Sequence, residues 1–351
     1  RDLVRSRGLG DVYKRQLNLT LYEAIDKYIQ SSDAVLSPAT IRGYRTIQRN
    51  AFKSIMYCKL SQLSTELLRD AVNTESKRTT GKKNPRQIKA KTVINEYGLI
   101  TAVINTYAPA LDCTVKLPQI EHNQHEISTP DVIYQIVKDT PIELPALLAM
   151  WLSLTESEIL GLTKSKSISS DGCYITIKEV IVKDEHNNAV VKNKGKQPTR
   201  DRTLRLPEYL KQLIDKVETD QLVTLSGTAL SKRFNRLITK AGIPHMTFHD
   251  LRHVNASVMA VLRIPDKYAQ ERGGWKTDHI MKSTYMQTFS SERAAIDNQI
   301  DQYMQDTLFK NASEQKKEQK YHHWLELFDL KDTKTNQKHF LKFCEDNHIN
   351  L

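Results

Sequence analysis

The chain has 351 residues, with 52 Lys and Arg against 41 Asp and Glu, a formal net charge of +11 and a pI near 9.3. Hydrophobic residues at 39% and charged residues at 26% describe a globular chain rather than a disordered one, long enough for two or three domains, and the basic balance favours a polyanionic partner. Four dispersed cysteines (Cys58, Cys113, Cys173, Cys344) exclude a disulfide scaffold and a cysteine-rich zinc module and fit a reducing cytosol; no apolar run reaches the ~18 residues of a membrane span.

Residues 1–16 show no sustained amphipathic period and no apolar run like that of a signal peptide. They resemble translated adapter sequence, so the expectation is a non-native segment, with the true N-terminus missing.

Thr20 with Glu23 forms a capping box that opens a helix through about Ile29, with Leu21, Ala24, Ile25 and Tyr28 inward. Ser37-Pro38 starts a second helix. It carries Arg42, Arg45 and Arg49 on one face, since residues three and four apart are helix neighbours. A third helix is expected over Thr65–Val72 and a fourth over Thr92–Tyr107. Between them, Lys77, Arg78, Lys82, Lys83, Arg86, Lys89 and Lys91 run without an acid. Such a run is either a solvated loop or a segment that tracks phosphates and releases their counterions. Residues 17–120 hold 15 basic and 8 acidic residues, against 25 and 24 in residues 121–310, so the excess charge sits mainly in this helical module.

Pro118 and the lack of a long apolar period make residues 112–126 a linker. Thr129-Pro130-Asp131 opens a second domain, expected over 127–310. Pro145–Leu154 reads as a core helix. Tyr174–Val182 alternates and is rich in β-branched residues, as a strand does. Ala189–Lys192 and Arg202–Leu206 read as shorter strands flanking a basic turn. From about Leu210 the pattern is helical. The tail, 311–351, carries Trp324, Phe328, Phe340 and Phe343 and reads as one or two docking helices, serving either a subunit contact or packing within the chain.

The chemistry-bearing residues come in a fixed order. Lys196 lies in the basic turn. His249 and Arg252 form H-x-x-R at the start of a helix. Trp275 follows Arg252 by 23 residues, in Gly273-Gly274-Trp275, and Tyr285 follows Trp275 by 10. Arginine suits this setting because its fork of donors matches two phosphate oxygens. The ordered set resembles the tyrosine recombinase family, in particular the integrases of phages and conjugative transposons.

That resemblance implies a mainly α fold with a small antiparallel sheet. A SAM-like helical core-binding domain (17–111) would precede a catalytic domain of the DNA breaking-rejoining type. It implies attack by Tyr285 on a DNA phosphate, a 3′-phosphotyrosyl link, and neither metal nor other cofactor. Arg252 and His249 would hold the phosphoryl oxygens. Lys196 would protonate the leaving oxygen, with Lys194 a competitor because the register is uncertain. Trp275 would wall the site. Arg42, Arg45, Arg49, Lys82, Lys83, Arg86, Lys89 and Lys91 would meet double-stranded DNA. Partners would be a homo-tetramer on paired sites and accessory DNA-bending or directionality proteins, in a bacterial cytoplasm and away from membranes.

One position departs from the pattern. The family carries a second arginine in a segment like L-R-x-S-E-I; here Leu154-Thr155-Glu156-Ser157-Glu158-Ile159 keeps the acidic partner, Glu158, but puts Thr155 in place of the arginine. No Arg occurs between Leu144 and Ser170, and Lys164 or Lys166 would offer only point charges. A catalytically impaired homologue that binds DNA without efficient strand exchange is therefore the alternative. A type IB topoisomerase is disfavoured by the preceding helical module, and a metal-dependent nuclease by the want of a carboxylate cluster.

Overall fold

Two separate hydrophobic cores divide the chain. The computed structural model describes residues 16–81, 84–120, 126–193, 202–277, 279, 281–282, 290–347 and 349. Lys82, Lys83, Lys194, Lys196 and Tyr285 lie outside the described residues.

The first core belongs to four helices. Helix α1 (Leu21–Gln30) is capped as its sequence dictates: Glu23 N–H donates to Thr20 Oγ1 at 3.2 Å, and Thr20 N–H donates to Glu23 Oε2 at 2.8 Å. Helix α2 (Pro38–Asn50) starts from Ser37, whose Oγ accepts from Thr40 N–H at 3.1 Å. Helix α3 (Thr65–Ser76) runs one turn past the expected end because Glu75 is needed inside, where it accepts from Phe52 N–H at 2.8 Å. Helix α4 covers Ala90–Tyr107. Leu21, Ile25, Phe52, Ile55, Leu68, Val93, Ile100 and Ile104 fill the space between them.

The basic run between α3 and α4 is not a plain loop. Strand β1 (Thr79–Thr80) pairs antiparallel with β2 (Arg86–Gln87). Arg78 leaves the run and turns inward, to Glu75 and to Glu96 at 2.9 Å. The linker also begins within the first domain: Leu111, Cys113, Val115 and Leu117 pack on its core, and Tyr97 OH donates to Cys113 O at 2.7 Å.

Beyond the linker the chain runs through α5 (Pro130–Val137), α6 (Glu143–Leu152), α7 (Glu156–Leu160) and α8 (Lys164–Ser167), then four short strands, then α9 (Glu208–Asp215), α10 (Gly227–Ala241), α11 (Asp250–Val261) and α12 (Asp266–Gly273). Ala269 of α12 packs with Trp275 in a smaller cluster, whereas the second core is filled mainly from α5, α6, α9, α10 and α11. Helix α6 lies at its centre: Pro145, Ala146, Leu147, Leu148, Ala149, Met150 and Leu152 are all buried, so it is surrounded rather than amphipathic.

The strand expected over 174–182 is broken. Strand β3 (Tyr174–Thr176) pairs with β6 (Thr203–Arg205), and β4 (Glu179–Lys183) pairs with β5 (Ala189–Asn193), both antiparallel. Thr176 faces Thr203 and Glu179 faces Asn193, so two residues separate β3 from β4 while nine positions of the sequence separate β5 from β6. Two residues cannot stay in register with nine, and the ladder has to open there. Arg202 sits at the point where pairing resumes, its carbonyl accepting from Ile177 N–H at 3.2 Å.

Helix α13 (Ser290–Leu327) runs unbroken across residue 310, where the sequence pattern divides domain from tail. Helix α14 (Lys334–Asp346) folds back on its end, and Tyr321, Trp324, Leu325, Phe340, Phe343 and Cys344 form a small core of their own. Among the described residues no helix is long and apolar enough to cross a membrane.

Candidate functional site

The site is organised by the C-terminal end of α6. Its last carbonyls lack partners within the helix, and the partial negative charge there attracts cations. Ser153, fully buried, ends the helix in the left-handed conformation (φ 58°, ψ 32°). That turn exposes carbonyls to side chains arriving from three other elements. Asn255 of α11 donates to Met150 O at 2.8 Å and to Trp151 O at 3.1 Å. Arg272 of α12 donates to Trp151 O at 2.9 Å. Arg252 of α11 donates to Ser153 O, and Arg202, just before β6, donates to the same oxygen at 3.2 Å.

Arg252 is 4% exposed, and its guanidinium carbon lies 4.6 Å from the centroid of the Trp275 ring. A desolvated cation over an indole is worth about 2 kcal/mol. The ring is fixed in turn by Ala256, Met259, Ala269 and Met281. Both glycines before it are required. A Cβ on Gly273 would collide with the Trp275 ring, and Gly274, at φ +66°, would drive one into the Arg202 guanidinium.

Arg202 ties the site together. Besides Ser153 O, it donates to Gly273 O at 2.6 Å and to Glu158 Oε2 at 3.0 Å. Burial lowers its pKa, and the Glu158 charge opposes that fall. Glu158 also accepts from Thr155 N–H at 2.8 Å. Thr155 is thus the N-cap of α7, and the cation beside Glu158 comes from residue 202. Lys164 and Lys166 do not fill the gap at Thr155: Lys164 donates to Val217 O, and Lys166 pairs with Glu179 at 2.8 Å.

His249 stands at the N-cap of α11, exposed at the rim above the buried arginine. Asp250 secures this turn by accepting from Thr247 N–H at 2.6 Å. The pKa of His249 is lowered, first by the protein packed around the ring and then by the Arg252 charge, with Asp250 and Glu156 opposing. The ring therefore carries one donor and one acceptor near neutral pH.

The structure thus brings together Arg252, Trp275, Glu158 and Thr155, with His249 at the edge. Sequence reasoning missed Ser153, Asn255, Arg272 and above all Arg202. The one signal available for Arg202 was Glu158 itself, an acid left without its expected arginine.

Of the side chains expected to meet DNA, Arg42, Arg49, Arg86, Lys89 and Lys91 are exposed. Arg45 is engaged within the chain, with Asp26, Gln48 (3.0 Å) and Glu185 (3.3 Å).

A helical module, a catalytic-type domain with short antiparallel ladders, and a buried arginine stacked under tryptophan define the class: an integrase-like fold. Residues 156–292 match the phage integrase family. An integrase from Saccharopolyspora erythraea is 33% identical over 67 residues, which is 19% of this chain and 15% of that relative's length. The Tn1549 transposon integrase, solved in complex with transposon right end DNA, has a similar fold, with TM-score 0.61 and 15% identity over 80% of this chain and 99% of the other. A lambda integrase tetramer bound to a Holliday junction is similar at TM-score 0.55 and 16% identity, over 77% of this chain and 78% of the other.

Proposed function

We propose that the chain is a site-specific DNA recombinase of a mobile element, acting through Tyr285. The observation that carries this reading is the buried Arg252, held between the Ser153 carbonyl and the Trp275 ring with His249 at its rim. A phenol, with an ordinary pKa of about 10, is a poor nucleophile until cations draw charge from the phosphate it attacks. A fixed guanidinium in a water-poor site supplies that field at no cost in reorganisation.

In this reading the Tyr285 oxygen bonds to phosphorus and the bond from phosphorus to the 5′-oxygen breaks. Lys196, or its neighbour Lys194, gives that oxygen a proton. The phenolic proton leaves to His249, which its lowered pKa keeps neutral and able to accept. A 5′-hydroxyl from a second strand then attacks the 3′-phosphotyrosyl link and releases the tyrosine. One phosphodiester is exchanged for another, so the cycle needs no energy source. Met281 belongs to the same cluster as Trp275, and Lys282 pairs with Asp266 of α12. This anchoring ends three residues before Tyr285 in the sequence, which supports the assignment.

The exposed Arg42, Arg49, Arg86, Lys89 and Lys91, with Lys82 and Lys83, supply the phosphate contacts of the helical module. Assembly as a tetramer on paired sites fits the open apolar stripe of α13, where Ile296, Ile300, Tyr303 and Met304 are about half or more exposed. The chain would act on DNA in the cytoplasm, with accessory proteins setting direction.

The test is a nicked suicide duplex carrying the sequence that binds best from a random duplex pool. The native chain is expected to form a covalent adduct mapped by mass spectrometry to Tyr285, and Tyr285→Phe to form none. The Thr155 position favours a second reading, DNA binding without efficient strand exchange. A native chain that binds the duplex but leaves it uncut would establish that reading instead.

A further inference from the structure

We infer that Arg202 is a positioning residue that stands in for the arginine missing at Thr155. The inference rests on the recombinase reading above for its chemistry, though not for its geometry. Glu158 is 5% exposed, and a carboxylate so placed requires a cation. In this chain Thr155 offers only a backbone N–H, and the neighbouring lysines point elsewhere. The cation arrives from residue 202, at the point where the strand pairing resumes, 3.0 Å from Glu158 Oε2.

The same guanidinium reaches two further acceptors, Ser153 O and Gly273 O. The first also seats Arg252; the second directly precedes the Gly274-Trp275 turn that stacks on Arg252. Arg202 thus fixes both surfaces between which Arg252 lies, while the Glu158 charge keeps it from merely repelling its neighbour. It does not face a phosphate, because its Nη donors are directed at protein acceptors and its Nε is buried. Its part is to hold Arg252 in the one geometry in which the phosphate can be gripped. A lysine could keep the charge yet not meet three divergent acceptors.

The experiment follows two readouts in Arg202→Lys, Arg202→Gln, and Arg202→Gln combined with Thr155→Arg. One is the rate of adduct formation on the selected suicide duplex at saturating DNA, beside the duplex Kd. The other needs no cleavage: the NMR signal of the Arg252 Nε–H, assigned by its loss in Arg252→Lys, and its exchange rate with water. Arg202→Lys and Arg202→Gln are expected to slow cleavage about 10- to 100-fold, the scale of a misplaced reacting group, with Kd little changed. The Arg252 signal should shift and exchange faster. Thr155→Arg should recover at least part of both losses, which a general loss of stability would not allow. Should Arg202→Gln fail to fold, Arg202→Lys is read alone. Native cleavage rates with an unmoved Arg252 signal in Arg202→Lys would overturn the inference. A native chain that never cuts would end the recombinase reading, while the NMR arm would still decide the role of Arg202.

Discussion

At the scale of single residues, the site is set by carbonyl oxygens as much as by charged groups. His249, Arg252, Trp275 and Glu158 were legible because side-chain types at fixed spacings leave a trace in sequence. Arg202 was not, because two of its three acceptors are the backbone oxygens of Ser153 and Gly273, 49 and 71 residues away, and a carbonyl carries no side-chain identity. Gly274 reads this arrangement out by mutation. Gly274→Ala places a Cβ where φ is +66° and where the Arg202 guanidinium already sits. The left-handed strain alone costs about 1–2 kcal/mol, and the collision adds to it. Urea unfolding should show a loss of at least that size; an unchanged midpoint would contradict the packing of Arg202 against this turn. His249 gives a pH dependence with a definite sign. Its folded pKa lies below the ordinary 6.5, so as pH falls past that value the unfolded chain takes up the proton first and stability declines. The decline levels off below the folded pKa. His249→Asn should therefore lose less stability than the native chain between about pH 7.5 and about pH 5.5 in urea melts. Equal losses would mean that His249 titrates alike in both states.

At the scale of elements, boundaries with side-chain caps were readable and the strand break was not. Thr20, Ser37 and Thr129 mark helix starts because each stands one residue ahead of the first turn, two of them bonding its N–H groups with their side chains. The alternation of Tyr174–Val182 satisfies a continuous strand, and nothing local says that nine positions separate β5 from β6 where two separate β3 from β4. Register is a property of a pair, so one strand's pattern cannot fix it. Helix α4 offers a clean test of element energetics. Gly98 lies inside it, exposed, with nothing within 4 Å of where a Cβ would go. Gly98→Ala removes backbone freedom from the unfolded chain without cost to packing, and should stabilise the first domain by about 0.5–1 kcal/mol. Thermal melts that rise by a few degrees would bear this out; a fall would mean that the face around Gly98 is not open.

At the scale of the whole molecule, the two domains meet through α2 and the β4–β5 hairpin. Arg45 pairs with Asp26 of its own domain and, at 3.3 Å, with Glu185 in the turn of the hairpin. A cleft lies beside this contact, lined by Ala39 and Arg42 on one side and by Glu156, Ser157, Lys183 and Gly227 on the other. Arg45 shares a helix face with Arg42 and Arg49, yet its side chain is only 20% exposed. The three arginines are therefore not equivalent toward a polyanion. Each phosphate contact steepens the fall of log K with log salt by about 0.9. Arg86→Ala and Lys89→Ala, which remove exposed charge, should each flatten that slope by about this amount in anisotropy titrations of a labelled duplex. Arg45→Ala should flatten it by less than half as much, since its charge is already balanced by Asp26. Glu185→Gln removes an acid from beside the basic face and should tighten binding without steepening the slope by a full contact. If Arg45→Ala flattens the slope as fully as Arg86→Ala does, the contact with Glu185 opens when DNA arrives and Arg45 moves onto the phosphates. The hairpin would then be a clasp released by the substrate rather than a fixed joint between the domains.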